Sequence, residues 1–593
     1  MAKKSPTKNR PASRLQPGVS SGSTSMRVIW GLAIAFFVLG FLLYAPSISY
    51  DFVYDDDAVL KENRFVKKGA EGLHEIWTTS YFKGYDENMN ARAYRPIPLS
   101  MFALEVEYFG LQAKVHHFIN VFLYGLTGLM LFLFLTRLLK KENLWLAAAI
   151  TLFFVVHPVH VEVIANIKSR DELVAFLAFV SAAFFWLKGL DENKKWLVGL
   201  SWITYSIALF SKESAITTLA VFPLMLWFFR DKSWKEILLS ISPFFLLVVG
   251  FLMVRSSVVG GLNEGVTLTV LDNSLLAASS TSERVASNIY VLGLYFYKNL
   301  IPYPLLSDYS FSTIPLRNWG DYQVWLSILL YLGLIALAVI GLFKKWKSAY
   351  GVWHFFATVS IFSSVIVLNV SPYNDRFNYN PSLGVCFLLV FGLFYFLGEQ
   401  KCKLSFNGKK YALIALVSLI ALAGIYRTIT HLPVWKDRYT LFDHDVKLAP
   451  NNARMLKNKG GSLVRRAVAE QDKTKQAELA DEAIGYLERA LTIYHRLPTS
   501  HVYLGIMYGI KGELEKAEKA YKDALAISST NVYAKTNLAN IYYRQGKYHE
   551  SLDLLNEVKP ELYSANDKYL LYLIYSRLGD YDTAMEWKAQ SGR

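Results

Sequence analysis

Three consecutive carboxylates stand in the run Phe52-Val53-Tyr54-Asp55-Asp56-Asp57-Ala58. Adjacent like charges repel, so at least one of the three is expected to have a raised pKa or a cationic partner. Such a carboxylate can take a proton as a general base or help to hold a metal ion; the alternative is a solvated turn. Other ionisable groups are spaced along the chain. They are Arg95 in Tyr94-Arg95-Pro96, His116-His117 with Asn120, His157-Pro158-Val159-His160-Val161-Glu162, then Lys168, Arg170, Asp171 and Glu172, followed by Lys212-Glu213 and Asp375-Arg376. His157 and His160 have a spacing that permits metal ligation, yet Pro158 bends the chain and no third histidine is near, which favours structural or substrate hydrogen bonds. Lys212-Glu213 reads equally well as a mutually compensated pair. Grouped Arg and Lys suit a phosphate, because guanidinium clamps that anion in a bidentate manner. No Walker loop and no GxGxxG after a strand is present, so nucleotide-driven transport and dinucleotide chemistry have no support.

The elements that must position these groups are set by composition. Of 593 residues, 53% are hydrophobic, 15% aromatic and 19% charged, and the mean hydropathy is +0.24. Soluble chains carry about 25% charged residues. Apolar stretches of about twenty residues recur from Met26 to Thr428, each long enough to cross a hydrocarbon core of roughly 30 Å as a helix. The chain therefore reads as polytopic. The net charge of +15 and pI near 9.3 do not imply nucleic acid, because the basic residues lie in short loops between spans. Cys386 and Cys402 are too few for a disulfide framework or a zinc site.

Loop charge gives an expected topology. The tail (Lys3, Lys4, Lys8, Arg10, Arg14, Arg27) and the loops with Arg137/Lys140/Lys141, Lys188/Lys194/Lys195, Arg230/Lys232/Lys235, Lys344/Lys345/Lys347 and Lys401/Lys403/Lys409/Lys410 alternate with loops holding only Lys168/Arg170, Lys212 or Arg376. The first set is expected to be cytoplasmic. The alternation requires that Val285 to Leu300 does not cross but lies as a re-entrant or interfacial helix. That leaves about eleven transmembrane helices, with the N-terminus inside and the C-terminus outside. Residues 1–26 read as a disordered basic cytoplasmic tail. The run from Val28 to Tyr44 is too long for a signal-peptide core and lacks a cleavage site. Residues 27–428 form the membrane domain, and its first outer loop, 47–115, carries the acidic run and is too long for a plain connector.

Residues 429–593 follow a different period. Leu504-Gly505, Tyr508, Gly512, Ala517, Tyr521 and Ala524 recur about 34 residues later as Leu538-Ala539, Tyr542, Gly546, Ser551, Leu555 and Val558, the tetratricopeptide spacing. Ala483, Leu487 and Ala490 fit the second helix of a preceding repeat whose first helix is displaced by an insertion around Glu470 to Asp481. Tyr575, Gly579 and Ala584 fit a final repeat one residue shorter. Stacked helix pairs of this kind form an α-solenoid with a concave surface.

Phe52 to Leu60 with Asn63, Tyr94-Arg95-Pro96, His117 with Asn120, His157 to Glu162 with Arg170 and Glu172, Lys212-Glu213, and Asp375-Arg376 before Pro381-Ser382-Leu383-Gly384 resemble, in the same order, the TMTC family of transmembrane and tetratricopeptide repeat containing O-mannosyltransferases. The resemblance covers nearly the whole chain beyond the tail. It implies an all-α architecture, a GT-C helical bundle followed by repeats on the outer side, with an outward-facing active site and a polyprenyl-phosphate-linked sugar as donor. It also implies that an acidic residue of the first outer loop is the catalytic base, a role that falls on Asp55 or Asp56.

The expected reaction moves a sugar, mannose or another hexose, from a polyprenyl phosphate to a Ser or Thr hydroxyl of an exported protein, with inversion. Arg376, Lys212 and Arg95 or Arg170 would neutralise the leaving phosphate. His117, His157, His160, Glu162, Glu213 and Asp375 complete the expected substrate-binding set. No cofactor is required, although a divalent metal is compatible with the carboxylates. Expected partners are membrane lipids, the lipid-linked donor and an acceptor protein held by the repeats, without nucleic acid. The expected location is a bacterial inner membrane with periplasmic repeats, or the endoplasmic reticulum membrane in a eukaryote. The rival readings are transfer to a lipid or an envelope glycan, and a non-catalytic membrane-anchored repeat scaffold. A transporter is weaker, because the ionisable residues fall at span ends.

Overall fold

The computed structural model describes residues 26–87, 93–140, 144–260, 268–365, 368–396 and 408–593, and every regular element among them is helical. The basic tail before Met26, Lys141, Lys401, Cys402 and Lys403 lie outside the described residues, as do the side chains of Lys409 and Lys410. Among the described residues, seven helical stretches are long and apolar enough to cross a membrane: Met26–Ser49, Ala113–Leu138, Ile167–Glu192, Trp234–Val259, Tyr322–Lys344, Asp375–Phe396 and Tyr411–Trp435. An eighth is added if Leu144–Val155 and Pro158–Ala165 count as one span, bent by 49°. The bend falls where Pro158 cannot donate to the helical ladder. To reach about eleven, the shorter helices Lys195–Ser211, Glu213–Phe229 and Lys347–Val359 would also have to cross. The helix Thr281–Leu300, which contains the segment Val285 to Leu300 expected not to cross, is absent from this set.

Arg170–Glu192 belongs to the most deeply buried of these stretches. Its acidic first turn holds Asp171, and Asp191 lies 20 residues on, about 30 Å away along a helix. At the Asp191 end, loops of the expected cytoplasmic set meet: Arg137 Nε and Arg230 Nε each lie 2.9 Å from the Asp191 carboxylate, and Lys345 lies 2.9 Å from Asp231. The residues singled out for chemistry gather at the Asp171 end.

Beyond Trp435, the helices Arg438–Leu448, Ala453–Ala469 and Lys473–Ile493 lead into the pairs Pro498–Lys511/Leu514–Ile527, Val532–Arg544/Tyr548–Asn556 and Ala565–Leu578/Tyr581–Ser591. Gly512, Gly546 and Gly579 sit between the paired helices at φ of +81°, +82° and +85°, a conformation that ends a helix at little cost only for glycine. The apolar core of the bundle runs without a break into this region, since Trp435, Leu441, Phe442, Met455 and Leu456 are buried in the cluster that holds the membrane helices.

Candidate functional site

The acidic run begins at a backbone turn. Tyr54 has φ +46°, a left-handed conformation that is uncommon for a bulky residue and often marks a functional constraint. A π-helical turn, Asp57–Lys61, follows. Between them the three carboxylates enter different surroundings. Asp56 has no exposed surface; its Oδ2 accepts from the Val53 amide at 2.9 Å and its Oδ1 from the Lys168 amide at 2.8 Å. Burial pushes the Asp56 carboxyl up to about 7, against the lowering effect of those two amides. Asp57 is ion-paired with Arg438 and lies 3.7 Å from Arg465 and 4.0 Å from Lys61. Asp55 is partly exposed and, although its carbonyl accepts from the Ala58 amide at 3.1 Å, its carboxylate makes no hydrogen bond or ion pair among the described residues. Its charge reaches Arg376 and Lys168. The buried Tyr54 hydroxyl is held well above its ordinary range by burial and then by Asp308 and Asp55, while Arg454 and Arg376 oppose the shift.

A compensated charge network lies beside the run. Asp171 is fully buried and collects three cations: Arg95 at 2.6 Å, Lys212 at 3.5 Å and Lys168 at 3.6 Å. Lys212 also pairs with Glu172, and Arg95 Nε donates to Glu213 at 2.8 Å. Glu213 Oε1 accepts from the Tyr94 amide at 2.6 Å, which ties the Tyr94-Arg95 step to the start of Glu213–Ala220. Arg376 donates to Glu162 through both Nη1 (2.6 Å) and its backbone amide (3.0 Å). The Arg376 side chain remains 14% exposed, and among the described residues its Nε and Nη2 make no hydrogen bond.

Several of the expected site residues instead hold elements together. Arg170 has no exposed surface; it pairs with Glu105, donates to Asn120 at 2.7 Å and to the His116 carbonyl at 2.9 Å, and stacks 4.3 Å over the Phe102 ring. His117 lies 3.3 Å from the Asp51 carbonyl. His157 bonds the Asn299 carbonyl through Nε2 at 2.9 Å and accepts from the Val159 amide. His160 is buried between the Tyr124 hydroxyl (3.0 Å) and Ser382 (2.9 Å). Both nitrogens of His157 and His160 are thus engaged within the protein. Among the described residues no three His, Cys, Asp or Glu side chains converge to hold a metal. Asp375 is buried and accepts from the Leu306 amide and the Tyr309 and Tyr373 hydroxyls, each at 3.0 Å.

Two features escaped the sequence reading. Asp171 is the hub that the grouped cations share, and its signal was an acidic first turn on an apolar helix, where the helix dipole favours negative charge. The repeat side also reaches the acidic run: Arg438 and Arg465 pair with Asp57, and Arg454 bonds Asp272 at 2.7 Å and lies 3.5 Å from Asp308. No local pattern links those positions.

A tetratricopeptide repeat family model matches residues 510–566. The Protein O-mannosyl-transferase F38B6.6 of Caenorhabditis elegans is 23% identical over 78% of this chain and 62% of its own length, and the human Protein O-mannosyl-transferase TMTC1 is 25% identical over 79% of this chain and 55% of its own. The chain is TMTC-like. It spans about 55–62% of the length of these curated relatives. The TMTC likeness includes the bundle that carries the acidic run as well as the repeats, because the aligned share far exceeds the repeat region alone. The crystal structure of MamA aligns with 26% of this chain at 18% identity and a TM-score of 0.22, too low to describe a shared fold.

Proposed function

We propose that the chain is an integral-membrane glycosyltransferase of GT-C type that moves a hexose, mannose or a close relative, from a polyprenyl phosphate to Ser or Thr hydroxyls of exported proteins. The observation that carries this reading is Asp55, the one carboxylate of the acidic run without a protein partner among the described residues, set in the field of Arg376 and Lys168 in a chain whose relatives are named protein O-mannosyl-transferases. The acceptor oxygen attacks the anomeric carbon, the bond from that carbon to the phosphate oxygen breaks with its electron pair leaving on the phosphate, and the hydroxyl proton passes to Asp55. A single displacement of this kind inverts the anomeric centre. Arg376 meets the charge that grows on the leaving phosphate, where preorganised donors lower the barrier most. Asp171 and Glu162 position the cations, while Arg170, His157 and His160 hold the helices that carry them. The site faces the non-cytoplasmic side, as in a bacterial inner membrane with periplasmic repeats, and the repeats present the acceptor.

Asp55→Asn tests this in the full chain with a synthetic polyprenyl-phosphate hexose and an acceptor peptide. Turnover should fall by about 10²–10⁴, the usual contribution of a general base, with donor binding kept. Parent-like turnover would overturn the reading.

A further inference from the structure

The helix Ala453–Ala469 turns one face toward the acidic run, and both ends of that face are fixed by ion pairs. Arg454 bonds Asp272 and lies near Asp308, and Arg465 lies 3.7 Å from Asp57. Eleven helical residues return to nearly the same angle, so Arg454 and Arg465 share one side of the helix about 16 Å apart. Lys457 lies between them, three residues after Arg454 and therefore on the same side. The N-terminus of the helix is pinned, because the Asn452 side chain donates to Asp308 at 3.1 Å and accepts from the Met455 amide at 2.9 Å. Arg454 and Asp308, the charges that act on Lys457, are also two of the four that act on Tyr54, the others being Asp55 and Arg376. Lys457 therefore looks onto the stretch between Asp57 and Asp308, where Tyr54 and Asp55 lie.

The cations around it are compensated. Arg376 has Glu162; Arg95, Lys168 and Lys212 share Asp171, Glu172 and Glu213; Arg438 has Asp57; Arg454 has Asp272. Lys457 is only partly exposed and, among the described residues, its ammonium makes no ion pair and no hydrogen bond. Burial lowers its ammonium to about 8, and the Arg454 guanidinium works in the same direction against a weaker pull from Asp308. A desolvated ammonium without a counter-charge favours an incoming anion, and the compact charge of lysine suits phosphate.

We propose that Lys457, contributed by the repeat side of the chain, binds a lipid-borne phosphate at the transfer site, the phosphate of the polyprenyl-linked donor. This rests on the proposed function for the identity of the lipid. It makes the first helices of the repeat region part of the substrate site.

The test measures binding of a short-chain polyprenyl phosphate to the full chain in phosphatidylcholine nanodiscs, for the parent, Lys457→Met and Lys457→Arg. Lys457→Met should weaken binding about tenfold or more, and Lys457→Arg should restore it to within a few-fold. Parent-like binding by Lys457→Met overturns the proposal, and so does failure of Lys457→Arg to restore binding when its melting temperature matches the parent. Replacing part of the phosphatidylcholine by phosphatidylglycerol distinguishes the two sources of phosphate. An unchanged difference between parent and Lys457→Met supports the donor, and loss of the difference by competition overturns that assignment. Binding needs no transfer, so Lys457-dependent affinity without turnover faults the transfer reading alone. Turnover of Lys457→Met with an unchanged KM for the lipid-linked sugar faults this site alone.

Discussion

The left-handed turn at Tyr54 separates two adjacent carboxylates more sharply than their identity suggests. Asp56 is withdrawn from water onto two backbone amides, whereas Asp55 keeps solvent and the field of Arg376. This difference was not legible in the sequence, which shows three identical side chains and cannot show which amides will point at them. The environment of Asp56 has a pH signature. Its carboxyl titrates near 7 in the fold and near 4 in an unfolded chain. Between those values the folded state holds a proton that the unfolded chain has lost, so the stability from this group falls as pH rises from about 4 through 7, by a few kcal/mol at most. Asp56→Asn cannot ionise. Its melting temperature, measured in detergent, should lie further below the parent's at about pH 5.5 than at about pH 8; a gap that stays constant would mean that Asp56 does not titrate in this range.

At the scale of elements, the N-terminus of Arg170–Glu192 organises the bundle at this end. One residue, Asp171, gathers cations from Tyr94-Arg95, from the turn at Lys168 and from the end of Lys195–Ser211. The preceding residue, Arg170, faces the other way and locks Pro96–Phe109 through Glu105. Sequence reasoning located this cluster but left Arg95 and Arg170 as alternatives for the phosphate beside Arg376 and Lys212, because type and spacing do not reveal which side of a helix start faces a cleft. Arg170 has no exposed surface, so Arg170→Met leaves buried Glu105 without its guanidinium and with only the His116 ring at 2.5 Å, and should cost about 3–5 kcal/mol. Adding Glu105→Leu should recover a large part, since paired buried charges can often be replaced together by apolar groups. Melting of both variants against the parent decides the point; equal losses in the single and double variants would place the role of Arg170 elsewhere.

For the whole molecule, the apolar runs and the tetratricopeptide period were readable because each is a local pattern repeated along the chain. The junction between them was not, because it is built from long-range pairs. Asp445 accepts from the Ser307 hydroxyl at 2.6 Å and its amide at 2.9 Å, Asn452 donates to Thr313 at 2.7 Å, and Asp51 donates its amide to the Lys436 carbonyl at 3.0 Å. Residues from Arg438 to Arg465 therefore belong mechanically to the bundle, Leu497 is the last residue of this region buried in the bundle's core, and the outer repeats pack onto the preceding helices through Leu504, Met507 and Ala520. A cut near Pro450 would remove Asn452 and Arg454 and leave Asp308 buried beside broken partners, so loss of activity from it would say nothing about acceptor recruitment. Chains ending at Leu497 and at Lys436 separate the two roles. Per mole of folded protein, the longer should still glycosylate a short acceptor peptide while losing activity on whole acceptor proteins. The shorter should lose both, because Asp57 loses Arg438 and Arg465 and the acidic run is no longer held in place. Equal activity of the longer chain on peptide and whole protein would assign the outer repeats no part in acceptor choice.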